Sequence, residues 1–221
     1  MTARFWAESC AYARSVGVFH VKHEGWTQLG ALGVPLDTGR VRLLERYETL
    51  VLERAAPMGM VAPSDLGRLR ERHMLDSLRA VPFIPAAATM SCDIGSGAGF
   101  PGIPIAIARP DLETTLVEVR RNRAAFLRSA IEELGLVNVV VSPRRIETVR
   151  RPVDLCFARA FGGARRSWDS VQHILAPGGS LIYWAGASFD PGIDAPDSVH
   201  IQLFETPALA RSGSLVIMGR Q

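Results

Sequence analysis

Cys92-Asp93-Ile94-Gly95-Ser96-Gly97-Ala98-Gly99-Phe100-Pro101-Gly102 lies between a short apolar run that starts at Met90 and the apolar stretch Ile103–Ala108. It reads as a strand that turns sharply into a helix. Glycines at such a turn let the backbone bend and approach a ligand, and the helix start presents free amide donors. Alone, the turn fits a nucleotide-phosphate cradle, a cofactor loop or a purely structural bend. Its surroundings decide the architecture. Downstream, apolar runs alternate with helix-like stretches: Thr114–Val119, Asn122–Leu134, Val137–Val141, Val153–Phe157 and Ser167–Leu175. This alternation predicts βαβ units and an α/β fold with a mostly parallel sheet. Pro177-Gly178-Gly179 reads as a turn into the strand Ser180–Trp184, and Val199–Phe204 with Ser214–Met218 read as an edge hairpin.

Upstream of the turn the pattern changes. Val41, Leu44, Tyr47 and Val51 recur at spacings of three and four, and a second helical pattern runs from Ser64, read as an N-cap, through Leu66, Leu69, His73 and Leu75–Leu78. Residues 1–82 are therefore expected to form a helical extension, and residues 83–221 the α/β domain. With 221 residues and 48% hydrophobic content the chain has enough material for a full core. Its longest apolar stretches fall far short of the roughly 20 residues of a membrane span. Arg4, Glu8 and Arg14 interrupt the start, which argues against a secretory signal and places the protein in the cytoplasm. Cys10, Cys92 and Cys156 are expected to pack rather than react. His20 and His23 alone offer too few ligands for zinc, so no metal is expected. Of the 25 basic residues only Lys22 is lysine and 24 are arginine, several in close groups. Arginine suits phosphate forks and base stacking, although a codon bias explains the same composition.

The acids flanking the turn discriminate among ligands. Asp93 precedes the first glycine and would repel a pyrophosphate, yet it suits an ammonium group such as the one in S-adenosyl-L-methionine. Glu118 follows 25 residues later, near the spacing of about 20 at which an acid meets a ribose hydroxyl pair. An ion pair with Arg120 or Arg121 is the alternative for Glu118. A methyl donor fits better than a dinucleotide, and without a Gly-Lys-Ser/Thr ending ATP hydrolysis has no support.

The run Asp93–Pro104, together with Arg72-His73-Met74-Leu75-Asp76-Ser77-Leu78 and Ala158-Arg159-Ala160-Phe161, resembles the small-subunit ribosomal RNA guanine-N7 methyltransferases, the glucose-inhibited division protein B family. The resemblance covers roughly residues 47–186. It implies a class I, Rossmann-like methyltransferase fold with an N-terminal helical extension, S-adenosyl-L-methionine as donor, and N7 of a guanine in 16S ribosomal RNA as acceptor. Carried over by position, Asp93, Gly95, Gly97, Gly99 and Phe100 line the cofactor and Glu118 holds its ribose. Ile146 and Glu147 flank the adenine, and Arg159 stands beside the methyl-donor end as the catalytic candidate. Arg72, His73, Arg165 and Arg166 are candidates for RNA contact, although His73 and Asp76, three apart, can also pair with each other. Trp168 and Trp184 serve either as stacking faces or as core. The implied partner is 16S ribosomal RNA or the small ribosomal subunit, bound by a monomer.

The chain departs from the family in three places. Gly59-Met60-Val61-Ala62-Pro63 stands where the family carries Asn-Leu-Thr, and Trp184-Ala185-Gly186 where a lysine is usual. Ala187–Ser198 is short for a helix and reads as a loop around Asp190-Pro191-Gly192. All three fall on the presumed substrate side. An enzyme with the same cofactor fold that methylates another RNA site or a small molecule remains the alternative.

Overall fold

The structure is a computed structural model, and it describes residues 26–197, 199–209 and 212–220. Cys10, His20 and His23 lie outside the described residues. Helix α1 (Gln28–Ala31) leads to α2 (Thr38–Leu50), which starts where the Asp37 carboxylate accepts from the Arg40 amide at 2.9 Å. Its inner stripe is Val41, Leu44, Tyr47 and Leu50, all buried, and it runs on as a π-helical turn over Val51–Ala55. The second upstream helix differs from expectation. It opens as a 3-10 turn over Pro63–Arg68, continues as a π-helical turn over Arg70–Leu75 and ends as α3 (Asp76–Leu78). Ser64 caps nothing; Ala62 precedes the turn and Pro63 supplies the preset φ that starts it.

Seven strands follow: β1 (Met90–Ile94), β2 (Glu113–Val117), β3 (Val139–Ser142), β4 (Val153–Arg159), β5 (Leu175–Trp184), β6 (Val199–Phe204) and β7 (Leu215–Arg220). They form one sheet in the order β3-β2-β1-β4-β5-β7-β6. The first five are parallel, while β7 runs antiparallel to both β5 and β6. The expected hairpin is present, with its second strand turned inward against β5. Pro177-Gly178-Gly179 forms an irregularity inside β5 rather than a turn before it: the β4 register jumps from Val153↔Leu175 to Leu155↔Ser180. Helices α4 (Gly102–Ala108), α5 (Arg121–Leu134) and α6 (Ala164–Val171) connect the parallel strands. A short α7 (Pro191–Asp194), capped by Asp190 on the Gly192 amide at 2.8 Å, replaces the expected loop.

One face of the sheet shares a core with the helical segment, where Leu44, Tyr47 and Leu50 meet Ile103, Leu116 and Leu127. The opposite face packs Ile94, Cys156 and Val171 around Trp168. Cys92 and Cys156 stand opposite each other on β1 and β4 as buried free thiols. Among the described residues, no helix is long and apolar enough to cross a membrane, and no group of three metal-ligating side chains is found.

Candidate functional site

The glycine turn sits where β1 ends, at the carboxyl edge of the parallel strands. The Gly95 and Ser96 amides donate to the Val117 carbonyl at 2.9 and 3.1 Å, so the end of β2 anchors it. Gly97 and Gly99 have φ of +58° and +99°, a region that side-chain-bearing residues avoid. A Cβ at Gly99 would lie 2.6 Å from both the Tyr47 hydroxyl and Ile103, whereas one at Gly97 would meet nothing closer than 3.8 Å. The turn is therefore packed against protein at Gly99 and open at Gly97.

Two buried carboxylates bracket it. Asp93 is fully buried. Its Oδ2 accepts from the Gly102 amide at 3.2 Å, and its Oδ1 has no partner. Burial pushes its carboxyl up to about 7. An unpaired buried carboxylate oxygen is costly by itself and is what a ligand ammonium would satisfy. Glu118 is 4% exposed. Its Oε2 accepts from the Gly97 amide at 3.1 Å and its Oε1 from the Arg120 amide at 2.7 Å, with Arg123 at 3.9 Å. Its fixed partners are thus backbone amides, not the Arg120 or Arg121 guanidinium. A carboxylate has about four acceptor positions, so capacity remains for a hydroxyl pair. This donor and acceptor set fits a nucleoside with a cationic tail.

The other sequence candidates lie at varied distances from that centre. Phe100 is buried between Tyr47 and His73, with ring centroids 5.4 and 5.1 Å away. Ile146 is buried in the cluster that holds Ile94 and Val117, and Glu147 is exposed at the start of a 3-10 turn. Glu147 shares a shallow depression with Gly163, Arg165 and Arg166. Arg165 donates to the Ala195 carbonyl at 2.7 Å, with Asp197 at 3.5 Å, while Arg166 is exposed. Trp168 and Trp184 are both core residues. Trp184 Nε1 donates to the Asp76 carbonyl at 2.8 Å.

Arg159 closes β4 and is gripped from the helical segment. Its Nε donates to Asp76 Oδ2 at 3.0 Å, its Nη1 meets His73 Nδ1 at 3.0 Å, and its Nη2 donates to the Arg72 carbonyl at 2.6 Å. His73 Nε2 in turn lies 2.9 Å from Asp65 Oδ2. The alternative of a His73–Asp76 pair is not realised: each residue is engaged elsewhere. Asp76 Oδ1 faces Arg79 Nε at 2.9 Å, an ion pair without hydrogen-bond alignment. Arg159, Asp76, His73, Tyr183 and Trp184 line a cavity of about 570 Å³ with Gly213. Ala160, also on its wall, has φ of +53°, a strained conformation for a residue with a side chain.

Sequence reasoning missed Tyr47, Asp65 and Arg79. Tyr47 was legible only as part of an apolar stripe, yet its hydroxyl donates to the Ala98 carbonyl at 2.5 Å and ties α2 to the glycine turn.

The family model described as rRNA small subunit methyltransferase G matches residues 40–200. The chain belongs to that family. The ribosomal RNA small subunit methyltransferase G of Acidothermus cellulolyticus is 38% identical over 169 residues, which cover 76% of this chain and 74% of the relative. That of Laribacter hongkongensis is 32% identical over 206 residues, 90% of this chain and 99% of the relative. Solved structures agree on the fold. A putative O-methyltransferase from Klebsiella pneumoniae aligns with a TM-score of 0.58 at 15% identity over 87% of this chain and 94% of its own. An O-methyltransferase from Bacillus cereus, solved with SAH, gives 0.55 at 16% over 87% and 95%. The mostly parallel sheet is thus that of a class I, Rossmann-like methyltransferase. This rRNA methyltransferase is S-adenosyl-L-methionine-dependent, as its family is, and its glycine turn and two carboxylates are the features that fit such a donor.

Proposed function

We propose that this chain transfers a methyl group from S-adenosyl-L-methionine to N7 of a guanine in 16S ribosomal RNA. The observation that carries the reading is the unpaired, buried Oδ1 of Asp93 beside an open glycine turn whose amide is held by Glu118. When bound, the donor supplies an electrophilic sulfonium methyl. Asp93 takes its ammonium, Glu118 its ribose hydroxyls, and Gly97 permits close approach, with Gly95 and Gly99 shaping the turn against protein and Phe100 packed behind. Ile146 and Glu147 flank the adenine. Arg159 stands at the methyl end, where its guanidinium orients the acceptor base in the adjoining cavity.

Guanine N7 carries an in-plane lone pair and is unprotonated at neutral pH, so no side chain has to remove a proton. The residues contribute by holding the base in line, and such positioning is worth roughly 7–11 kcal/mol. N7 is hidden in the deep groove of an A-form helix, so the target base enters the cavity unpaired or extruded. Arg72, Arg165 and Arg166 hold the surrounding RNA. In this reading residues 26–82, the described part of the expected extension, wall the acceptor side, and the α/β domain that follows holds the donor. The protein acts as a cytoplasmic monomer on 16S RNA or the small subunit.

Mapping N7-methylguanine in 16S RNA from cells with and without the gene tests the acceptor, and calorimetry with S-adenosylmethionine and its demethylated product tests the donor. A second reading, a changed acceptor, draws on Trp184-Ala185-Gly186 at the cavity wall. It predicts transfer to another RNA site or to low-molecular-weight material, with the 16S map unchanged.

A further inference from the structure

Arginine is a flexible side chain with about 2 kcal/mol of rotamer entropy, yet Arg159 is held at three nitrogens, and its side chain retains 19% exposure toward the cavity. The hold has a direction. A guanidinium only donates, so His73 Nδ1 must be the acceptor at 3.0 Å, which places the ring proton on Nε2, where it donates to Asp65 Oδ2 at 2.9 Å. A protonated His73 would set N–H against N–H, and burial together with the Arg159 charge holds the imidazole below its ordinary range. Asp76, buried between Arg159 and Arg79, supplies the countercharge. The grip leaves one further hydrogen on each terminal nitrogen of Arg159 for whatever enters the cavity.

We propose that His73 and Asp76, with Asp65 behind His73, are positioning residues that fix the orientation of the Arg159 guanidinium and act on methyl transfer through it. The inference rests on the proposed function for the role of Arg159 and replaces direct RNA contact as the task of His73. Three residues on the helical segment thereby set the working geometry of a residue on the sheet, more than 80 positions away.

The test is a mutant cycle on the full chain with 16S RNA and S-adenosylmethionine. His73→Ala and Asp76→Asn each lower kcat about 10- to 100-fold, the range for hydrogen bonds to a charged group, with KM for RNA little changed. His73→Gln keeps an acceptor for Arg159 and a donor for Asp65, so it recovers most of the loss. In an Arg159→Ala background the same substitutions cost little more, because the group they act through is gone. Additive losses, or losses confined to KM, overturn the proposal. Nitrogen NMR of the free protein reads the geometry without any reaction: the His73 ring is the neutral Nε2–H tautomer at neutral pH, and in Arg159→Ala, with the Asp65 acceptor kept and the guanidinium charge gone, Nδ1 gains a proton more readily. A charged ring or the Nδ1–H tautomer in the wild type overturns the proposal even if a variant fails to fold. Wild-type protein that shows the tautomer but methylates no 16S RNA instead sinks the acceptor assignment.

Discussion

At the scale of single residues, the proposed donor site stands on Asp93 and Gly97. With the Asp93 carboxyl raised to about 7 by burial, the native state between pH 4 and 7 retains a proton that the unfolded chain has lost. Stability contributed by this group therefore falls as pH rises across that window. Asp93→Asn removes the dependence, so its melting temperature relative to wild type rises from pH 5 to pH 8, measurable by calorimetric scans. An ammonium placed on Oδ1 favours the ionised form, and cofactor binding at pH 7 releases roughly half a proton. Titration calorimetry in buffers of different ionisation enthalpy reads that release, and Asp93→Asn abolishes it. Gly97→Asp puts a side chain and a negative charge into the one part of the turn where a Cβ meets open space. Its neighbours are not displaced and a side chain at φ +58° costs about 1–2 kcal/mol, so the chain folds with reduced stability while S-adenosylmethionine binding is lost; a variant that binds normally would remove the turn from the site.

At the scale of elements, the turn works because α2 reaches it. Tyr47 is fully buried, and its hydroxyl is the link from α2 to the Ala98 carbonyl. Tyr47→Phe keeps the ring against Phe100 but leaves that carbonyl without its donor, at a cost of about 1–3 kcal/mol. Urea denaturation reads the stability loss, and a raised KM for S-adenosylmethionine reads the loosened turn. This link marks the boundary of what the sequence discloses. The glycine turn, its acids and the strand–helix alternation are local patterns, each complete within a few dozen residues, and the fold they imply is the fold observed. Tyr47 to Ala98 spans 51 positions and Arg159 to His73 spans 86, and no periodicity records such a contact. Ser64 and Pro63 show the same limit at short range. A serine ahead of an apolar pattern is a sound helix start by preference, but the fixed φ of the neighbouring proline begins a tighter turn one residue earlier.

At the scale of the whole molecule, the arginines divide by partner. Arg46 and Arg54 share Glu133, Arg70 holds Glu48, Arg109 holds Asp111 and Arg151 holds Glu113. These are ion pairs that any arginine-rich chain can make, and they account for part of the composition without RNA. Arg165 and Arg166 differ. They are exposed on the first turn of α6, just beyond the end of β4, on the same edge of the sheet as the glycine turn. Arg165 donates to the Ala195 carbonyl, and the acid nearest it, Asp197, is exposed and 3.5 Å away, an ion pair of little energetic weight. If this edge faces the RNA, the two arginines neutralise phosphates and release counterions on binding. Arg165→Ala with Arg166→Ala then weakens RNA binding and reduces the slope of log affinity against log salt by about one unit per lost contact. Arg46→Ala, which breaks an ion pair between helices on the far side of the core, leaves the slope as it was. Filter binding across a salt series separates the cases: an unchanged slope in the double variant assigns these arginines to composition alone and moves the RNA to another face.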